Sequence, residues 1–158
     1  MRIGITGHTN LTPATSVLVR EVLDVELAGY DAGLTGLSCL ARGADQLFAR
    51  AVLDAGGSLE VVLPAADYRA RKVKPDNAAD FEELLGKAAE VHTMPFAESN
   101  RDAYMAASEH VLSSVDKMLA VWDGQPAGGH GGTGDVVHAA RGRGIPLTVV
   151  WPAGAARA

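Results

Sequence analysis

Lys117-Met118-Leu119-Ala120-Val121-Trp122-Asp123-Gly124 and, a short loop later, Gly131-Gly132-Thr133-Gly134-Asp135-Val136-Val137 form the stretch on which the fold turns. Its first half is a continuous apolar run, the mark of a strand buried on both faces of a sheet. Glycines end that run, and the residues from Thr133 to Arg141 then carry a helical period. Strand, glycine-rich loop and helix make up half of a βαβ crossover. The same alternation runs through the rest of the chain.

Working outward, Arg2 to Thr6 reads as a first strand, and Thr12-Pro13 as an N-cap with proline at the first helical position. The helix it opens should reach about Ala28, with Leu18, Val22 and Val25 beside Val19, Leu23 and Leu27 on the buried side. A strand near Leu34 to Ser38 precedes a helix from Ala44 to Ala55, which buries Leu47, Phe48, Ala51, Val52 and Ala55 and is ended by Gly56-Gly57. Leu59 to Leu63 is a strand stopped by Pro64. Residues 65–80 are charged and poorly periodic and are expected to be irregular and the most mobile part, ahead of a helix around Phe81 to Ala89. Val91 to Met94 is a short strand, Asp102 to Val115 a helix, Lys117 to Trp122 a strand, Thr133 to Arg141 a helix and Leu147 to Trp151 a last strand before Pro152. This order predicts an α/β fold, a Rossmann-like three-layer α/β/α sandwich with a mostly parallel sheet. With 158 residues, one domain over 1–158 is the expectation.

Composition narrows the function classes. A formal net charge of -5 and only eight aromatic residues disfavour a polyanion partner such as DNA, which needs a basic groove with stacking platforms. Cys39 is the only cysteine, so no intramolecular disulfide forms. No run near 18 apolar residues and no leader-like N-terminus is present, which points to the cytoplasm with no membrane contact.

Three strands end in loops of the kind that cradle phosphate: Thr6-Gly7-His8-Thr9-Asn10, Ser38-Cys39-Leu40-Ala41-Arg42-Gly43-Ala44-Asp45, and Asp123-Gly124 through Gly132-Thr133. In an open parallel sheet all three emerge at the carboxyl edge, where ligands bind. Glycines in the third loop, Gly131, Gly132 and Gly134 among them, permit positive φ and close approach, and the following helix offers unpaired N–H groups to an anion. Thr133 either caps that helix or binds a phosphate oxygen. The P-loop signature is absent, and Gly4-Ile5-Thr6-Gly7-His8-Thr9 lacks the third glycine of a dinucleotide fingerprint.

Taken together, Gly4-Ile5-Thr6-Gly7-His8, Leu40-Ala41-Arg42-Gly43-Ala44-Asp45, Val61-Val62-Leu63-Pro64, Ala120-Val121-Trp122-Asp123-Gly124 and Gly131-Gly132-Thr133-Gly134-Asp135-Val136-Val137 with Ala140-Arg141 resemble the SLOG superfamily. This Rossmann-like group includes the Lonely Guy phosphoribohydrolases, the YpsA-like proteins and the DprA proteins, and the resemblance covers nearly the whole chain. It implies a nucleotide or nucleotide-derived ligand spanning the three loops, without implying catalysis, and it implies self-association as a homodimer. The Lonely Guy enzymes carry Pro-Gly-Gly-x-Gly-Thr-x-x-Glu, whose glutamate acts on the ribosyl bond; here Val136 stands at the glutamate's place. Asp135 lies one position earlier, a rotation of about 100° on a helix. Arg101 is a counterpart to the family's catalytic arginine, outside its usual motif.

The candidate ligand-binding residues are therefore Gly7, His8, Thr9, Ser38, Ala41, Arg42, Gly43, Ala44, Asp45, Asp123, Gly131, Gly132, Thr133 and Gly134, with Arg101 and Asp135 as catalytic candidates. Arg42 suits a phosphate through bidentate donation. Asp45 either complements its helix dipole or meets a ligand hydroxyl. His8 and His130 are open between loop histidines and phosphate or acid roles. Trp122 is either a core residue or part of the cleft wall. His92, His110 and His138 show no zinc spacing, so no metal or cofactor is expected. Binding or sensing of a nucleotide-type ligand leads; N-glycosidic hydrolysis of a nucleoside monophosphate and single-stranded nucleic-acid binding follow.

Overall fold

The computed structural model describes residues 1–30, 33–126 and 132–158. Twelve elements alternate among them: β1 (Arg2–Gly7), α1 (Pro13–Ala28), β2 (Thr35–Ser38), α2 (Ala44–Asp54), β3 (Ser58–Leu63), α3 (Tyr68–Arg71), α4 (Pro75–Gly86), β4 (Glu90–Thr93), α5 (Arg101–Ser113), β5 (Lys117–Val121), α6 (Thr133–Gly142) and β6 (Leu147–Val149). The strands form one sheet in the order β4-β3-β2-β1-β5-β6, every pairing parallel. Chain direction across the sheet reverses between β1 and β5, and at such a switch point the two carboxyl-end loops diverge and leave a crevice.

Successive strand residues face opposite layers, and both faces are apolar. Ile3, Ile5, Leu119 and Val121 pack with Val19, Leu23 and Leu27 of α1 and with Phe48 and Val52 of α2. Leu59, Val61 and Leu63 continue that face under Phe81 and Leu84 of α4. On the other face Leu37, Val62 and Met118 meet Ala107, Val111 and Leu112 of α5 and Ala140 of α6. The expected three-layer α/β/α sandwich is the observed fold.

Local chemistry explains most boundaries. Thr12 caps α1, its side chain accepting from the Thr15 N–H at 3.1 Å, with Pro13 at the first helical position. Asn100 caps α5 in the same way, through Ala103 N–H at 2.8 Å.

Three expectations are corrected. Val25 is 75% exposed, because the stripe Thr15, Val19, Leu23, Leu27, flanked by partly buried Val22, faces the sheet and Val25 lies away from it. Ala55 is likewise exposed, one residue past the end of α2. Residues 65–80 are structured: they hold α3 and the start of α4, whose Pro75 takes the first helical position behind an extended Lys74. Charge pairing between distant segments, Arg42 with Asp76 and Arg50 with Asp80 and Glu83, replaces the missing apolar period there. No helix among the described residues is long and apolar enough to cross a membrane.

Candidate functional site

A crevice of about 360 Å³ opens at the switch point. Its floor is the carboxyl end of β1, Ile5 to Gly7, continued by His8 and Thr9; one wall carries Cys39, Ala41, Asp45, Tyr68 and Tyr104, and the opposite wall Gln125, Gly132, Thr133, Gly134 and Arg157.

The loop after β2 is locked onto the loop after β1. A Cβ on Gly7 would come within 2.4 Å of Ala44 Cβ, so only glycine lets α2 approach β1 this closely. Gly43 sits at φ +85°, where a Cβ would come within 2.6 Å of His8 O, and Ala44 N–H donates to that same carbonyl at 3.2 Å. Gly43 and Ala44 therefore join the loops rather than line the crevice. Ser38, fully buried, accepts from Leu40 N–H at 3.0 Å and donates to Asp45 O at 3.2 Å. Leu40 is held at φ 56°, unusual for a side chain of its size, with Gln46 Nε2 donating to its carbonyl at 3.1 Å.

This scaffold buries Asp45 in the first turn of α2, with Oδ2 accepting from Ala41 N–H at 3.3 Å. Burial pushes its carboxyl up to about 7, against the opposing pull of the Ala41 N–H. Beside it, burial and then the Asp45 charge raise the Tyr68 hydroxyl, and the same two causes raise the Cys39 thiol, so both stay protonated. A protonated, partly buried thiol beside a carboxylate is a packing group rather than a nucleophile. Tyr68 packs edge-on to Tyr104 with ring centroids 6.3 Å apart, and Tyr104 faces solvent at the crevice mouth.

Across the crevice, His8 Nε2 lies 3.1 Å from both the backbone N and the Oδ1 of Asp123. Burial, then the positive Arg157, hold its pKa below the ordinary value despite Asp123. The neutral ring accepts the Asp123 N–H through Nε2, and its face is fixed by Trp151, edge-on at 5.6 Å. Asp123 itself accepts from Gln125 N–H at 3.0 Å and lies 3.7 Å from Arg157 Nη1. Arg157 reaches the site because the tail after β6 returns along the first loop: Leu11 and Arg157 form an antiparallel bridge, and Arg157 Nε donates to Asn10 Oδ1 at 2.9 Å.

Gly132 is the N-cap of α6, with φ -74° and no side chain capping the helix. The positive φ expected of the glycine loop does not apply at Gly132, although the bare backbone remains open to close approach. Thr133 is the first helical residue instead of the cap. Gly128, Gly129, His130 and Gly131 lie outside the described residues.

Of the candidates read from sequence, the crevice gathers Gly7, His8, Thr9, Ala41, Asp45, Gly132, Thr133 and Gly134. Asp123 stands behind its wall, holding His8 and Arg157. Arg42 points its guanidinium to Asp76 at 2.5 Å on the exposed surface, outside the lining. Arg101 opens α5, also outside it. Asp135 lines a separate groove between α5 and α6 with Met105, Leu112 and His138. Trp122 donates to Gln125 O at 2.8 Å and lies under Arg141, away from the crevice. Sequence reasoning missed Tyr68, Tyr104 and Arg157. No motif marks them; the strand bridge that brings Arg157 back is visible only in three dimensions.

No protein-family profile and no curated protein matches the chain. Solved structures do. DNA processing protein A from Streptococcus pneumoniae superposes with a TM-score of 0.67 at 14% identity, covering 94% of this chain and 49% of that one. DNA processing protein A from Helicobacter pylori, described for its single-stranded DNA binding mode, gives 0.67 at 18% identity, over 94% and 64%. The molybdenum cofactor carrier protein of Chlamydomonas reinhardtii gives 0.60 at 16%, over 94% and 74%. The chain thus spans about half to two thirds of the length of the DNA processing proteins it resembles. Its class is the Rossmann-like α/β fold shared with these structures. That fold is the one the sequence's resemblance to the SLOG superfamily implied.

Proposed function

We propose that the chain binds a nucleotide or nucleotide-derived ligand in the switch-point crevice, its phosphate at the N-terminus of α6 and its sugar or base toward Asp45 and Tyr104. The observation that carries this reading is the convergence of two unlike halves in one cavity. One half is anion-seeking: the first turn of α6, without a side-chain cap, faces Arg157. The other is uncharged or acidic: buried Asp45 accepts hydrogen bonds from hydroxyl or amino groups, and the exposed ring of Tyr104 offers a stacking surface. A nucleotide has the same division. A volume of about 360 Å³ suits a mononucleotide-sized ligand better than an extended strand.

Single-stranded DNA, named for one structural neighbour, is itself a chain of nucleotides. The net charge of -5 favours the small ligand over the polymer. Hydrolysis of a glycosidic bond has less support, because Arg101 and Asp135 do not line the crevice.

Thermal-shift screening over nucleoside monophosphates, ADP-ribose derivatives, nucleotide sugars and a deoxythymidine oligomer tests the proposal. Stabilisation by a small ligand, worth about 2.7 kcal/mol at 100 times its Kd, is expected. Stabilisation by none of them overturns it; so does a response to the oligomer alone that falls steeply with salt, which is the polyanion signature.

A further inference from the structure

We propose that Glu60, Glu90 and His92 form a binding site for a first-row divalent transition-metal ion of the zinc type, on the edge of the sheet away from the crevice. Glu60 on β3 and Glu90 on β4 are register partners, and His92 follows two residues on, so all three side chains stand on one face. Their ligand atoms lie within 4.8 Å of one another. His92 Nε2 sits between the two carboxylates, 3.2 Å from Glu60 Oε1 and 3.1 Å from Glu90 Oε2.

Those separations also admit a shared metal ion. One N–H cannot point along two hydrogen bonds at once, whereas an ion at about 2.1 Å from nitrogen and oxygen spans such a gap with N–M–O angles of about 100°. That angle lies between octahedral and tetrahedral. One imidazole and two carboxylates are a borderline-to-hard donor set, suited to zinc or manganese rather than to a thiophilic ion.

The surroundings supply an orienting shell. Glu60 is buried, and its second oxygen, Oε2, lies 2.7 Å from Arg2 Nη1, while Arg2 Nε donates to Ser114 O at 2.7 Å. Buried Oε2 nevertheless receives no well-aligned hydrogen bond. Arg2 thus fixes the carboxylate's orientation with Oε1 turned toward His92 Nε2, as groups behind metal ligands do. Its single charge offsets only one of the two carboxylates. His110 of α5 closes one side, its ring centroid 5.0 Å from that of His92. Glu90 is exposed and His92 partly so, which leaves an entry path and room for water to complete the shell.

The linear spacing of the histidines hides this site because its ligands come from two strands. Bound there, the ion ties edge strand β4 to β3. It is independent of the nucleotide reading.

Calorimetric titration of Zn²⁺ into the untagged, chelator-treated full chain, with Co²⁺ absorption spectra in parallel, tests the site. One equivalent bound with a Kd of about 10 μM or tighter is expected, together with visible Co²⁺ bands of an N/O-ligated ion and a Tm raised by about 5–10 °C at 100 times Kd. His92→Ala and Glu60→Gln should each weaken binding at least about tenfold. Should Glu60→Gln fail to fold, Glu90→Gln, on the exposed edge strand, serves in its place with the same expectation. No saturable binding below about 100 μM overturns the proposal, as does binding that survives unchanged in His92→Ala and Glu90→Gln.

Discussion

Replacing Asp45 by asparagine separates what the fold needs from what the crevice needs. In the unfolded chain this carboxyl titrates near 3.8, and in the folded chain burial pushes it up to about 7. Between those values the folded chain holds a proton that the unfolded chain has lost, so this group's contribution falls as pH rises from about 4 to about 7. Below pH 4 it costs nothing; above pH 7 the cost is complete. Roughly three pKa units at about 1.4 kcal/mol each bound that cost at about 4 kcal/mol. Asparagine carries no charge to desolvate, and its side-chain oxygen can keep the Ala41 N–H bond. Asp45→Asn is therefore expected to match the parent in urea denaturation at pH 4 and to exceed it by roughly 2–4 kcal/mol at pH 8. Carboxylates shifted the other way, such as Asp123, are present in both chains and cancel in the difference. The same substitution should weaken nucleotide binding, the usual trade of stability for function at a strained site. An equal stability difference at pH 4 and pH 8 would refute the reasoning, since it would mean that Asp45 is not carrying a buried charge.

Gly43→Ala forces a Cβ to within 2.6 Å of His8 O at a φ of +85° and should cost about 2–4 kcal/mol, a Tm loss of roughly 5–15 °C by calorimetry; a loss below 0.5 kcal/mol would mean the two loops can separate freely. Arg157→Ala removes the second cause, after burial, of the lowered His8 pKa, so the His8 ring should titrate higher by NMR, and affinity for a phosphate-bearing ligand should drop about tenfold or more; an unmoved His8 titration would show that the tail does not reach the site. Leu23→Ala, fully buried between α1 and the sheet, should lose about 2–5 kcal/mol while Val25→Ala stays within about 0.5 kcal/mol, and comparable losses at both positions would contradict the orientation of α1.

The layered fold was legible in the sequence because its signals are local. Apolar runs such as Met118 to Val121, the Thr12-Pro13 cap and the glycines after α2 each state their conformation within a few residues. The loops of the site were legible for the same reason, since glycine clusters and helix starts mark where backbone N–H groups are exposed. Orientation within an element was harder: Val25 satisfies a helical period as well as Leu23 does, and only the packing of α1 on β1 and α2 decides between them. Least legible were contacts between segments far apart in sequence. Arg42 in its loop reads as an anion ligand, yet Asp76, 34 residues away, takes its guanidinium. Arg157 enters the crevice because the tail pairs with Leu11 and Asn10 of the first loop. Glu60, Glu90 and His92 are brought together by strand register, which no spacing along the chain encodes.

The Gly132-Thr133-Gly134 start of α6 is the proposed seat of the ligand phosphate. Calorimetric titration of the nucleotide-type ligand found by thermal shift into the parent and into Gly132→Val, at about 0.15 M salt, tests it most directly. Gly132 has a φ of -74°, which valine can adopt, so the variant should fold while its branched side chain blocks the close backbone approach an anion needs. One-to-one binding to the parent is expected, with a loss of at least about a hundredfold in affinity in the folded variant, the worth of about 2.7 kcal/mol in lost charge-assisted hydrogen bonds. Unchanged affinity in a folded Gly132→Val chain would contradict it.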